Sequence, residues 1–219
     1  MSPTPVWHRG EPVAPLAACL DRGGLLAIPT ESSYGLGADP GNPSGVAAVY
    51  RVKGRAAGKP LPVVVAALDA LAGLGIDPDL PILKRLLEDW PGPLSVLLPI
   101  APGLPAAAGA GSLAVRIPGH PGLRALLAAL GRPLTATSAN RSGAEPIVDP
   151  AELPELLAGE DAVVIDGGIL PGGPPSTLVE PARSGWGWRV LRPGSFDGER
   201  LAALLAEEEE NEARGRVDE

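Results

Sequence analysis

The sequence predicts an α/β domain on a twisted, mixed β-sheet flanked by helices. Short apolar, β-branched runs alternate with amphipathic stretches through most of the chain. The last strands follow one another with no helix between them, so the sheet is expected to be mixed rather than all parallel. No repeat recurs at a fixed period, and 219 residues suit one large domain.

The elements follow in order. PVAPLAACLDRGG (12–24) reads as a helix that stops at Gly23-Gly24, and LLAIPT (25–30) as a short strand closed by Pro29. NPSGVAAVYRVKG (42–54) reads as a helix capped by Ser44 and ended by Gly54. LPVVVA (61–66) is continuous and β-branched, as in a strand buried on both faces. LPILKRLLEDW (80–90) sets Leu80, Leu83, Leu86, Leu87 and Trp90 at helical spacing. LSVLLPI (94–100) is a strand, followed by a mobile Pro/Ala/Gly loop over 99–111. LAVRIP is a strand, PGLRALLAALG a helix, and PLTATSAN a strand running into a polar turn. DAVVIDGG, STLVE and WRVLRPG complete the strands. Residues 1–200 read as one domain, and 201–219 as an acidic C-terminal helix extension or disordered tail.

Hydrophobic content of 45% and charged content of 20% are ordinary for a soluble globular protein. Aromatics at 3% argue against a surface built to stack nucleic-acid bases. The formal charge is −8, of which residues 207–219 carry −5, leaving −3 for the rest. That balance disfavours a coat for nucleic acid or an anionic membrane. The single cysteine, Cys19, forbids an intramolecular disulfide and reads as a small core residue. His8 and His120 form no metal motif. The N-terminus lacks a signal pattern, so a cytoplasmic location is expected. Residues 90–115 carry no charge over 26 positions, but five prolines and four glycines there exclude a membrane helix.

The chemistry concentrates at strand ends. VYRVKGRAAGKPLPVVV (49–65) places Lys53, Arg55 and Lys59 within seven residues. It is not a Walker A loop: three residues separate Gly54 from Gly58, and Pro60 follows Lys59. GLGADP is no dinucleotide fingerprint, and two loop histidines support no Ser-His-Asp set. What remains is Thr30, Ser32, Ser33 and Tyr34; the three cations; Ser112 and Arg116; Thr137, Ser138 and Asn140; Ser176 and Thr177; and Arg192. Ligands of open α/β sheets bind at strand ends, so these groups can converge on one cleft. Cations with hydroxyl and amide donors suit phosphate and carboxylate. Arg116 interrupts an apolar strand and calls for an anion, either a structural carboxylate or a ligand. Tyr34 suits core packing or ligand contact, and the Ser-Ala-Asn turn suits a turn device or a site.

The segments IPTESSYGLGADP, VYRVKGR, KPL, WPGPLSVLL, LAVRIPGHP, TSANRSG, STLVE and VLRPGS, in this order, resemble the YrdC/Sua5 family of threonylcarbamoyl-AMP synthases. The resemblance runs from about residue 22 to 195 and includes the K-x-R and S-x-N pair at Lys53/Arg55 and Ser138/Asn140. It implies a single YrdC-like domain with a large, positively lined cavity. It also implies synthesis of L-threonylcarbamoyl-AMP and pyrophosphate from L-threonine, bicarbonate or CO2, and ATP with Mg²⁺. Partner proteins would then transfer the group to adenosine 37 of tRNA, making t6A; a direct tRNA contact is left open. Carried over by position, Lys53, Arg55, Lys59, Ser112, Ser138, Asn140 and Arg192 would serve ATP, with Lys53 and Arg55 catalytic. Ser32, Tyr34, Arg116 and Ser176 would hold threonine, Arg116 at its carboxylate. Many family members carry Asn at the position of Lys59, His at Val64 and Thr at Ser32. No further domain of the longer Sua5 type is expected, which makes this a short YrdC-type chain. The alternative reading is a non-catalytic RNA- or tRNA-binding module of the same fold.

Overall fold

The computed structural model describes residues 4–80, 83–84, 86, 88–181 and 188–205. Its strands form two mixed sheets rather than the one expected. The first runs in the order β1 (Val6–Trp7), β9 (Ala162–Ile165), β2 (Leu25–Pro29), β3 (Tyr34–Gly37), β8 (Thr137–Ser138). The second runs β11 (Trp188–Arg192), β10 (Thr177–Pro181), β5 (Leu94–Pro99), β6 (Ser112–Arg116), β4 (Val63–Val64), β7 (Leu134–Thr135). The predicted strand over 133–140 is divided between them: β7 pairs with β4, β8 with β3, and only Ala136 lies between. This crossing makes the seam on which the site is built.

The helices start and stop on local chemistry. α1 (Ala14–Asp21) is followed by Arg22 and the Gly23-Gly24 pair, as expected. α2 (Pro43–Lys53) is capped by Asn42, not Ser44: the Asn42 side chain accepts from the Ser44 and Gly45 amides. Pro43 sets this start, because its fixed φ and missing N–H suit the first helical position. Gly54 ends α2 in the left-handed region, φ 60°, and turns Arg55 away from the helix axis. α3 (Pro121–Leu130) is capped by His120, whose Nδ1 accepts from the Leu123 amide. A short α4 (Leu153–Leu156) precedes β9.

Three apolar clusters hold these layers. α2 packs on the first sheet through Val46, Val49 and Val52 against Leu25, Leu36 and Val164. The second sheet has its own core around Val96, Leu113, Val115 and Trp188. A third cluster joins the two sheets: Leu16 and Leu20 of α1 and Leu123, Leu126 and Leu127 of α3 meet Leu26, Ile28, Val64 and Leu134. Cys19 lies in this cluster at 1% exposure, the small core residue expected, and burial pushes its thiol up to about 11.

The expected mobile loop at 99–111 is in part an anchored turn. Pro105–Ala107 forms a 3-10 turn, Ala106 is buried, and it bonds Pro40 O through its amide and Leu61 N through its carbonyl. Ala107 is buried beside it, so this turn packs into the fold instead of standing out as a surface loop. The expected helix over 80–90 falls partly outside the described residues, as does the tail from 206; residues 198–205 are helical. No helix among the described residues is long and apolar enough to cross a membrane.

Candidate active site

β4, β6 and the β7–β8 crossing meet the β2–β3 turn around a cavity of about 150 Å³. Arg116 enters it from the end of β6 and Val64 from β4, where the two residues are register partners. Ser95 from β5, Ser176 before β10 and Arg192 at the end of β11 complete one wall; Thr30, Ser32, Ser33 and Tyr34 form the other.

Arg116 is 9% exposed, and its Nη1 donates to Glu31 Oε1 at 2.7 Å. The same oxygen accepts from the Gly119 amide at 2.5 Å. Burial raises the Glu31 carboxyl, but Arg116 and these donors more than offset it and hold the group below the usual carboxylate range. Both anions foreseen for Arg116 therefore have a place: a structural carboxylate on one side and an open cavity on the other.

Ser95, buried, shares a 2.8 Å hydrogen bond with Ser176. Arg192 Nη2 donates to Ser176 O at 2.8 Å. Burial and then repulsion from Arg116 lower the Arg192 pKa, so the two guanidiniums share one field. Ser195 N donates to Pro175 O, stitching β11's exit to the segment before Ser176. Gly194 permits this approach, since a Cβ there would lie 2.5 Å from Ser176 C and Thr177 N.

Thr137 and Ser138 also line a second, more open cleft of about 680 Å³, with Lys53, Arg55, Lys59, Asn140 and Ser142. Pockets of about 300–1,000 Å³ take nucleotide-sized ligands. Three cations and no carboxylate line it. Lys53, 4% exposed, donates to Ser138 O at 2.7 Å, Asn140 Oδ1 at 2.8 Å and Asn140 O at 3.3 Å. Burial, then the neighbouring Arg55, push it down to about 8. Asn140 Oδ1 also accepts from Ser138 Oγ at 2.6 Å, and its Nδ2 donates to Ala144 O. Arg55 stacks 5.4 Å above the Tyr50 ring, and its Nε is buried without a hydrogen-bond partner. The Tyr50 hydroxyl donates to Lys59 O, tying both ends of the cation loop to one helix residue.

The fold thus brings together Ser32, Tyr34, Arg116, Ser176 and Arg192 in one cavity, and Lys53, Arg55, Lys59 and Asn140 in the other, with Ser138 in both. It does not bring Ser112 to either: Ser112 opens β6, four residues from Arg116, about 13 Å along a strand. Arg192, assigned to ATP from sequence, lies in the Arg116 cavity. Tyr34 lines the wall, but its hydroxyl donates to Gly168 O and accepts from Gly167 N, and burial raises its pKa. Glu31, Tyr50 and Ser95 were not singled out. Tyr50 was findable as one of two tyrosines, three residues before Lys53; Glu31, as the acid among the hydroxyls of TESS, offered a weaker signal.

Residues 18–194 match the family model Sua5_yciO_yrdC, described as Telomere recombination. The chain is 42% identical over 159 residues to a threonylcarbamoyl-AMP synthase of Alkalilimnicola ehrlichii, covering 71% of this chain and 81% of that protein. It is 34% identical over 199 residues to the threonylcarbamoyl-AMP synthase of Bacillus subtilis, covering 88% of this chain but 56% of that one. P. abyssi Sua5, complexed with L-threonine, is similar with a TM-score of 0.79 at 29% identity, covering 94% of this chain and 62% of that one. E. coli YciO is similar with a TM-score of 0.74 at 25% identity, covering 92% of this chain and all of that one. With its two cavities meeting at the sheet seam, the chain belongs to the Sua5/YciO/YrdC family.

Proposed function

We propose that the chain is a threonylcarbamoyl-AMP synthase, using L-threonine, bicarbonate or CO2, and ATP. The observation that carries this is the juxtaposition of two anion-reading spaces of different size, meeting at Thr137 and Ser138. The smaller takes the amino acid. Arg116 faces its carboxylate, while the serine hydroxyls and the apolar Val63, Val64 and Ala136 match a side chain bearing one hydroxyl and one methyl. The larger takes ATP, with Arg55, Lys59 and the Lys53-clasped turn at its phosphates.

The threonine nitrogen bonds to the carbon of CO2 and loses a proton to solvent, giving a carbamate. A carbamate oxygen then bonds to the α-phosphorus in line, and the bond to the bridging oxygen breaks to release pyrophosphate. The protein positions the two reactants and neutralises charge on the leaving group. Among the described residues no three His, Cys, Asp or Glu cluster to hold a metal. Mg²⁺ would instead ride on the triphosphate's own oxygens and offset their charge. The product would pass to proteins that modify tRNA.

Purified protein with ATP, Mg²⁺, bicarbonate and a panel of amino acids tests the reading. Pyrophosphate release that requires both threonine and bicarbonate is expected. Release without an amino acid, or RNA binding with no release, would overturn it.

A further inference from the structure

We infer that Glu31 is a positioning residue that aims Arg116 at the substrate carboxylate, an inference that rests on the threonine reading of the smaller cavity. Glu31 does not line that cavity, whereas its neighbours Thr30, Ser32 and Ser33 do. It stands behind Arg116 and takes Nη1 at 2.7 Å, which leaves the rest of the guanidinium edge for a ligand.

The anchor is rigid. The Gly119 amide donates to the same Oε1, while Arg124 Nη1 donates to the carbonyls of Pro118 and Gly119 at 2.8 and 2.7 Å. The peptide groups around Gly119 are thereby held from both sides. A Cβ on Gly119 would stand 3.2 Å from Glu31 Oε1, so glycine allows the close approach. Glu31 therefore joins the β2–β3 turn, the end of β6 and the entry to α3 at one oxygen. Without it, a long side chain with several rotatable bonds would have to be ordered by substrate itself, at an entropic cost to binding.

Because both bonds end on Oε1, an amide can replace the carboxylate geometrically. Glu31→Gln keeps an acceptor for Arg116 and Gly119 and removes the competing negative charge. Glu31→Ala removes both. Positioning predicts a threonine KM raised about tenfold or more in Glu31→Ala, with ATP KM within about twofold, and a threonine KM in Glu31→Gln no more than about threefold above wild type. The Arg116 guanidinium N–H signals, read by NMR without substrate, should be sharp in wild type and Glu31→Gln and broadened in Glu31→Ala. Equal threonine KM in wild type and Glu31→Ala would overturn the inference. So would a Glu31→Ala protein that loses ATP binding and threonine binding together, or a Glu31→Gln as impaired as the alanine. If wild type shows no threonine dependence, the functional reading fails, and the Arg116 signals still decide whether Glu31 aims the guanidinium.

Discussion

Lys53 Nζ lies 2.8 Å from Asn140 Oδ1 and 2.7 Å from Ser138 O, so the cation that ends α2 clasps the turn that ends β8. The two motifs are 85 residues apart in sequence and form one unit in space. Lys53 thus presents Ser138 and Asn140 to the cleft, whatever contact it makes with phosphate.

Lys53→Met keeps the apolar stem and removes the Nζ donor to Ser138 O and Asn140, leaving Asn140 Oδ1 the Ser138 hydroxyl alone. We expect a loss of about 2 kcal/mol in unfolding free energy and a rise in ATP KM. The folded pKa of about 8 lies below the ordinary 10.5, so the unfolded chain binds more protons between those values. The burial penalty is fully present below pH 8 and is relieved as pH rises through that window. Wild type should gain stability over Lys53→Met from pH 8 to 10.5, by at most about 1.4 kcal/mol per pH unit. Urea unfolding across that range checks the sign.

Arg55→Ala should cut threonine-dependent pyrophosphate release by about 10²-fold, the scale of one lost charge contact to a developing anion. Arg55 Nε is buried and unpartnered, and the guanidinium rests on the Tyr50 ring, so stability should change little. Initial rates with a thermal melt distinguish the two effects.

Ser176→Ala leaves the buried Ser95 hydroxyl without its 2.8 Å partner. The expected cost is about 1 kcal/mol, with threonine KM rising more than ATP KM. Ser95→Ala with Ser176→Ala should be less destabilised than the sum of the single changes, because no orphan remains.

Gly194→Ala tests the stitch between β11 and the segment before Ser176. Its Cβ would fall on the Pro175 carbonyl and 2.5 Å from Thr177 N, atoms that are backbone and cannot rotate away. We expect about 1–3 kcal/mol of destabilisation and a lower kcat/KM for threonine. Denaturant midpoints and a threonine titration read both.

Much of the site was legible because its chemistry is local. A run with three cations and no acid, an arginine inside an apolar strand, and a Ser-Ala-Asn turn each announce a polar destination. β3 was not legible, since Tyr-Gly-Leu-Gly has little strand propensity. Its glycines are explained only by neighbours: a Cβ on Gly37 would meet Leu26 O at 3.2 Å. Val64 reads as one apolar residue among three, and only the β4–β6 register sets it beside Arg116.

By itself, the sequence determined the alternation of helices and strands, the helix stops at glycine, and the inventory of groups that read anions. Those properties arise from backbone preferences and side-chain chemistry acting over a few residues. Only the tertiary structure decided that the strands form two sheets crossed at Ala136, that Arg116 is shared between Glu31 and a cavity, and that Ser112 stays outside. Such choices belong to register and long-range packing, where one-residue shifts reassign every face and no local pattern carries the answer.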